Sequence, residues 1–348
     1  MVRFLLKLNR WVIFFTLLSY ISPFISPEQM SFLTFVGLAY PWLLLLNLIF
    51  IFLWATSRMK YWRYSTVCVL LGIYYLTTIV GLNFFRSNKS GDIKIMSYNI
   101  LSTSIVKDKD LIKLNTFIDS LNCDVICFQE LPCTNGKEHR TYALSKFPYK
   151  QCPPDSKMYN YYTPNSFNTI YSKHPIINQG SINFEPYNGG NGCIYSDINI
   201  NGKIIRFYNI HFNSNRVSGL IADDIDITQE KKTIKKIYKI LNRMRLTAQY
   251  RGKQAEAVKA HMATCPHPIV VCGDFNAIPV SYPYHILREN LNDAFQESGV
   301  GYAQTYRERV PALKIDHILM DKKIKTFNTE VLKVNFSDHY PIVSELSF

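Results

Sequence analysis

The chain has 348 residues, 47% of them hydrophobic, and a formal charge of +13 at neutral pH. That length allows one large domain or two ordinary ones, and the positive surplus favours an anionic partner. Hydrophobicity is spread too unevenly for one solvent: the first 85 residues hold only seven charged residues, Arg3, Lys7, Arg10, Glu28, Arg58, Lys60 and Arg63.

In chain order, Trp11 to Ile25, Met30 to Ser57 and Ser65 to Phe85 are uncharged apolar segments. The second and third are long enough to cross about 30 Å of hydrocarbon as helices, which argues against buried core helices. The first is weaker, because Pro23 and Pro27 shorten it. A cleaved signal peptide over residues 1–25 is a competing reading, although Ser22 to Ser26 makes a poor small-residue cleavage site. Basic residues flank the N-terminus and the second loop (Arg58, Lys60, Arg63), whereas the first loop carries only Glu28. The positive-inside rule therefore puts the N-terminus and second loop in the cytoplasm. Three crossings would place everything after Phe85 on the non-cytoplasmic side. The expected organisation is a membrane region over residues 1–86, with about three spans, and a second domain over 87–348. The polar stretch "RSNKSGD", Arg86 to Asp92, links the two.

Seven of the eight cysteines fall in the second domain: Cys123, Cys127, Cys133, Cys152, Cys193, Cys265 and Cys272. An odd number cannot all pair within one chain, and the spacing matches neither a dense disulfide framework nor a C-x-x-C metal site. Cys127 and Cys272 sit in apolar runs and read as small core residues.

Short apolar runs then alternate with helical stretches. "IKIMSYNI" (93–100), "DVICFQEL" (124–131), "KIIRFYNIHF" (203–212), "PIVVCGDFN" (268–276) and "LKIDHILM" (313–320) read as strands. Residues 108–121 place apolar side chains at 111, 114, 117/118 and 121, one helical face, and 226–262 is a long helical stretch. Turn signals lie at Asn188 to Gly192 and at Asn201-Gly202, the latter a hairpin signal. This alternation suggests a layered α/β domain. Each strand finishes on a polar group: Asn99, Glu130, Asn209 with His211, Asp274 with Asn276, and Asp316 within the fifth. "SDHYP" adds Asp338 and His339. Side chains two apart on a strand share a face. One such residue is normally a cap or turn former; six in equivalent positions read as one constellation.

These motifs, "SYNI", "CFQE", "YNIHF", "CGDFNAIP", "KIDHIL" and "SDHYPI", resemble in order those of the endonuclease/exonuclease/phosphatase superfamily, the deoxyribonuclease-like metallophosphodiesterases. The resemblance covers about residues 92–348. It implies a four-layer sandwich of two packed β-sheets flanked by helices, with the active site at one end of the sheets. It implies that Glu130 binds Mg²⁺ (or Mn²⁺), with Asn99 beside it and Asp338 a further candidate ligand; hard oxygen donors suit those ions. It matches His339 to the catalytic histidine, Asp316 to its carboxylate partner and His211 to a second phosphate-facing histidine. Asp274 is expected to orient or deprotonate the attacking water, and Asn276 to donate to a phosphate oxygen. Gly273 is expected to let backbone approach the phosphate closely. His139, His174, His261, His267 and His285 have no partnered spacing and read as solvated or capping residues, and His317 should point away from Asp316 into packing.

The segment 228–262 carries Lys231, Lys232, Lys235, Lys236, Lys239, Arg243 and Arg245, with Ile234, Ile237, Leu241 and Met244 as an apolar stripe. It reads as a core-packed helix with a solvated basic face, or as a surface for anionic lipid or nucleic-acid backbone. Beyond residue 85 the chain has 33 basic and 25 acidic residues, which favours an anionic partner without choosing between those two. "MYNYYTPN" (158–165) reads either as a substrate rim or as surface packing. The expected function is a membrane-anchored, metal-dependent phosphoesterase acting on phosphodiesters, with nucleic acid as one substrate class. A sphingomyelinase-type lipid phosphodiesterase or a phosphatase is the alternative, and an inactive scaffold is least favoured, since each motif keeps a competent residue. No motif implies a protein partner.

Overall fold

The computed structural model describes residues 1–84, 90–100, 108–131, 133–134, 137–138, 144, 146–152, 168–184, 191–215, 230–307 and 313–348, with side chains left out at 108–111, 133–134, 137–138 and 230–232. Most of the linker, His139, the tyrosines of 158–165, the turn at 188–190 and the side chains of Lys231 and Lys232 therefore lie outside the described residues. The chain divides into two compact units: residues 1–74, 213–255 and 280–285 form one, and 75–212, 256–279 and 286–348 the other.

The first unit is built on helices α1 (Val2–Ile21), α2 (Ser31–Leu38), α3 (Tyr40–Thr56) and α4 (Trp62–Leu71). Val2–Phe24 is long and apolar enough to cross a membrane; α2 and α3, bent by 50° at their junction, make a second such segment only if counted as one broken span. Pro41 opens α3, where its missing N–H costs nothing. The expected third span is not one helix. It is α4, then α5 (Ile73–Ile79), then strand β1 (Val80–Leu82), which pairs antiparallel with β13 (Val300–Tyr302). Backbone that pairs with another strand in this way is not part of a spanning helix, whose bonds are all internal.

The inside of this unit mixes an apolar cluster of Val12, Phe50 and Trp54 with polar side chains. Asn9, Thr16, Ser19, Asn47 and Ser65 are buried, whereas Phe4, Trp11, Phe14, Leu45, Leu48, Phe52 and Leu71 are exposed. Asn9 donates to Ser65 Oγ (2.7 Å) and accepts from the Trp54 indole (3.0 Å); Asn47 donates to Thr16 Oγ1 (2.8 Å). α4 runs in the same sense as α1, since Ser65 meets Asn9 while the Tyr20 hydroxyl reaches the Cys68 carbonyl (3.0 Å).

The second unit contains two six-stranded mixed sheets flanked by helices, the fold the sequence implied. Its strands are β2 (Ile93–Asn99), β3 (Val125–Gln129), β4 (Cys133–Thr134), β5 (Lys137–Glu138), β6 (Tyr149–Gln151), β7 (Thr169–Ser172), β8 (Ile176–Ile182), β9 (Gly192–Ile200), β10 (Lys203–His211), β11 (Ile269–Asp274), β12 (Leu291–Asp293), β14 (Asp316–Asp321), β15 (Lys325–Val331) and β16 (Ile342–Ser347). One sheet runs β12-β14-β11-β10-β9-β8 and the other β15-β16-β2-β3-β7-β6. Each contains one parallel pair, β10/β11 and β2/β3. The β9–β10 hairpin turns at Asn201-Gly202, both at positive φ (52° and 88°), as a primed two-residue turn requires.

Between the sheets lies an aliphatic core that includes Ile95, Val125, Ile170, Ile198, Phe207, Val270, Ile318 and Ile342, with Cys127 and Cys272 inside it as expected. Helix α6 (Asp108–Leu121) covers the outer face of the second sheet with Leu114 and Ile118, against Met96, Ile126 and Phe128. The long helix α7 (Glu230–Met262) ends beside β10, where His261 Nδ1 lies 2.9 Å from the Tyr208 hydroxyl and its ring packs on Tyr195. His261 is thus a partnered, half-buried residue rather than a solvated one; single-residue spacing carries no information about a ring contact made across the fold. Six cysteines are free, and Cys152 is disulfide-bonded.

Candidate active site

Parallel pairing brings the polar strand ends together. In register, His211 of β10 sits beside Asp274 of β11, and Asp274 beside Asp316, the first residue of antiparallel β14. In the other sheet Asn99 ends β2, and Glu130 follows β3. Both parallel pairs therefore deliver their C-terminal ends to one place. A bond from Asn99 Nδ2 to Asp274 Oδ2 (3.0 Å) closes the gap between sheets. Below it, Gln129 Nε2 donates to Asn209 Oδ1 (2.7 Å), while Asn209 donates to the carbonyls of Phe128 and Thr169 (2.8 Å each). Asn209 is hence a buried tie between the sheets and not part of the open site.

His339 is held from three directions. Its Nδ1 lies 2.9 Å from Asp316 Oδ2 and 3.2 Å from Oδ1. Its backbone N–H donates to Ser337 Oγ (3.1 Å), whose hydroxyl donates to the Asn99 carbonyl (2.8 Å), and Tyr306 packs on its ring. Asp316 is in turn fixed by Thr305, whose Oγ1 accepts the Ile315 and Asp316 backbone N–H groups. The other ring nitrogen, Nε2, is 3.8 Å from Asp274 Oδ2. Burial alone would favour neutral imidazole, but Asp316 and Asp274 outweigh it and raise the His339 pKa to about 10. Asp274 is pushed up to about 6 by burial and by Asp316, against the lowering effect of the two histidines. His211 Nε2 stands 3.7 Å from Glu130 Oε1 and 3.8 Å from Asp274 Oδ2.

Two site residues adopt left-handed backbone: Glu130 (φ 58°) and Asn276 (φ 49°). Such conformations cost free energy and persist where surrounding structure enforces them. Asn276 points its groups at Asp274: its N–H donates to Oδ1 (2.8 Å), and its side-chain amide donates to Oδ2 (3.2 Å) and to the Phe212 carbonyl (3.0 Å). The amide expected to face a phosphate thus serves Asp274 in this structure. Gly273 also has a different role from the expected one. Its φ is 146°, and a Cβ there would stand 2.0 Å from the Ile210 carbonyl oxygen. The glycine is needed so that β10 and β11 can close up, which seats His211 against Asp274. His317 points away, as expected, with Nε2 on the Ala277 carbonyl (2.9 Å).

Asn99, Glu130, His211, Asp274, Asn276, Asp316 and His339 therefore converge. Asp338 is adjacent in the chain, but its carboxylate bonds Ser337 Oγ (3.2 Å). Ser337, Thr305 and the Phe212 carbonyl escaped the sequence reading; hydroxyls and carbonyls that orient another residue have no pattern of their own. For a divalent ion the donor set fits. Glu130 offers a carboxylate whose side chain is 31% exposed, beside the buried amide of Asn99 (3.3 Å). Hard oxygens around a partly open position suit Mg²⁺ or Mn²⁺. Asp274, Asp316 and His339 also lie close enough to share an ion, but the close His339–Asp316 bond occupies Nδ1 and reads as a histidine–carboxylate pair.

The family model for "Endonuclease/Exonuclease/phosphatase family" matches residues 96–339. The chain belongs to this family. It is a hydrolase of phosphoric esters within a superfamily of metal-dependent phosphoesterases. Residues 2–79 match a domain of unknown function. No curated protein matches by sequence. Among solved structures, the fold resembles D. rerio TDP2 complexed with a single-strand DNA product (15% identity, TM-score 0.53, covering 74% of this chain and 99% of that one). It also resembles the human Nocturnin catalytic domain with bound sulfate (16%, 0.52, 76% and 98%) and an endonuclease/exonuclease/phosphatase family protein from Leptotrichia buccalis (17%, 0.51, 74% and 100%).

Proposed function

We propose that the chain is a membrane-anchored, Mg²⁺-dependent phosphodiesterase whose catalytic domain spans residues 87–348. The observation that carries this reading is the row Asp316–His339–Asp274, set 3.0 Å from Asn99 and flanked by Glu130 and His211. Glu130 and Asn99 would hold the cation, with Asp338 as an outer ligand. When bound, the cation supplies charge neutralisation at the phosphoryl oxygens. Asp316 holds the His339 Nδ1 proton and so leaves Nε2–H to face the phosphate. Asp274, pinned by both donors of Asn276, orients the attacking water, and His211 lies beside the same carboxylate. The test is hydrolysis of a bis-nitrophenyl phosphate by the detergent-solubilised full chain, with Mg²⁺ and with EDTA. Activity that survives EDTA would sink the metal assignment.

Nucleic acid is one substrate class, in keeping with the DNA product in the TDP2 complex. A phospholipid headgroup is the second, favoured by the first unit: a helical bundle that buries Asn and Ser and exposes Phe, Leu and Trp matches lipid as its solvent. The disulfide at Cys152 supports a non-cytoplasmic catalytic domain. Alkaline phosphatase fused after Lys89 should then be active and fused after Arg63 inactive. The opposite pattern would place the domain in the cytoplasm.

A further inference from the structure

Of the two readings of α7, a core-packed stripe or a surface for an anionic partner, the exposure of the stripe excludes the first. Ile234 is 59% exposed, Ile237 46%, Tyr238 70% and Leu241 46%. The spacing i, i+3, i+4, i+7 makes them one continuous helical face. Lys235 and Lys239 are exposed beside it. Over residues 231–245 the chain has seven basic residues and no acidic one. Aliphatic side chains left in water beside a run of lysines need an occupant that is apolar beneath and anionic above.

We propose that the N-terminal half of α7, residues 233–245, lies in the surface of an anionic bilayer, with Ile234, Ile237, Tyr238 and Leu241 in the acyl boundary and the lysines among the headgroups. This rests on the membrane-anchored reading given above. Two further observations support it. The same compact unit carries the bundle whose outer surface is apolar. Further along, α7 is tied to the segment that joins α1 to α2: Gln249 donates to Ser31 Oγ (3.1 Å), and Lys253 pairs with Glu28 (2.8 Å). If α1 and the α2–α3 pair cross the bilayer, that segment marks one membrane face. At 1.5 Å per residue, Tyr238 lies roughly 16 Å along the helix from Gln249, close enough to follow that face. A nucleic-acid backbone would use the lysines but would leave the aliphatic stripe in water, whereas a lipid surface uses both.

The full chain, reconstituted in nanodiscs of phosphatidylcholine alone or mixed with phosphatidylglycerol, tests this. An environment-sensitive nitrobenzoxadiazole label is placed through Ile237→Cys in a Cys265→Ser background, the unlabelled-site parent setting the blank. The proposal expects emission at shorter wavelength, and quenching by spin-labelled lipid, in the anionic discs. Both effects should diminish at high salt and in Lys235→Gln/Lys236→Gln/Lys239→Gln. That triple variant should hydrolyse a small soluble phosphodiester at the parent rate. Water-like emission in both kinds of disc overturns the proposal, as does a label insensitive to both salt and the lysine changes. Loss of oligonucleotide binding in the triple variant, with the label unmoved, assigns the helix to nucleic acid instead. Failure of the underlying reading looks different: the chain would be released from membranes by alkaline carbonate and would not enter discs.

Discussion

The two units use buried polar groups in opposite settings. In the helical unit, Asn9, Thr16, Asn47 and Ser65 share the interior with Val12, Tyr40, Phe50 and Trp54, while many other large apolar side chains, such as Phe4, Trp11, Leu45 and Phe52, face outward. In the sheet unit, Ile, Val and Phe form most of the interior, and buried polar groups include ties between the sheets such as Gln129–Asn209, the Lys314–Asp293 ion pair and the site itself. The difference is what the proposed lipid setting of the helical unit would produce. Against water, burying an apolar side chain is the main gain and a polar one must be fully bonded. Against lipid, apolar burial gains little, so short polar contacts and close packing join the helices.

The comparison can be tested from its largest expected effect downward. His339→Ala should lower turnover on a soluble phosphodiester by about a thousandfold, within the range for acid–base groups. The double variant with Asp316→Ala should be hardly worse, because groups that act as a unit are not additive. Fully multiplicative losses would separate the two roles.

Next comes the sheet unit's buried ion pair. Lys314 Nζ bonds Asp293 Oδ2 (2.6 Å), both fully buried, with His317 Nδ1 at 3.8 Å from the same oxygen. Burial would raise the Asp293 carboxyl, but Lys314 and His317 outweigh it and hold it well below the usual carboxylate range. With its pKa depressed, Asp293 contributes stability that is present above about pH 4 and is lost as pH falls below that. Lys314→Met should cost roughly 3–5 kcal/mol by stranding a buried charge. That cost should shrink as pH falls through about 5, where the orphaned carboxyl takes up a proton. Thermal unfolding across pH checks both statements; a cost independent of pH would mean that packing, not charge, was lost.

Glu130→Gln should lower activity at least about a hundredfold and weaken Mg²⁺ activation. Full activation by Mg²⁺ in this variant, with Asp316→Asn unable to respond to the ion, would move the metal to the Asp274–Asp316–His339 cluster. The smallest effect belongs to the helical unit. If the bundle sits in lipid as proposed, Asn47→Leu should destabilise it by only about 0.6–2 kcal/mol and leave hydrolysis of a soluble diester unchanged. A larger loss, comparable to that of a water-soluble core, would mean that the bundle's solvent is not lipid.

Much of the site could be read from the chain because its chemistry is carried by residue types at strand ends, and a strand's period of two is written in the sequence. Asn99, Glu130, His211, Asp274, Asp316 and His339 each stand where a motif and an apolar run meet. Of the uncharged N-terminal segments, the first forms a single helix, Val2–Phe24, long and apolar enough to cross a membrane, because apolar composition is written in the chain. Tertiary structure alone decided other matters. Gly273 is required by the Ile210 carbonyl of a neighbouring strand, and Asn276 faces Asp274 because a left-handed turn aims it there. The third apolar segment breaks into α4, α5 and β1 because strand pairing with Val300–Tyr302 claims its backbone. The stripe on α7 has the same period whether it faces a core or a bilayer. Periodicity reports which side chains share a face, and only the packed chain determines what that face meets.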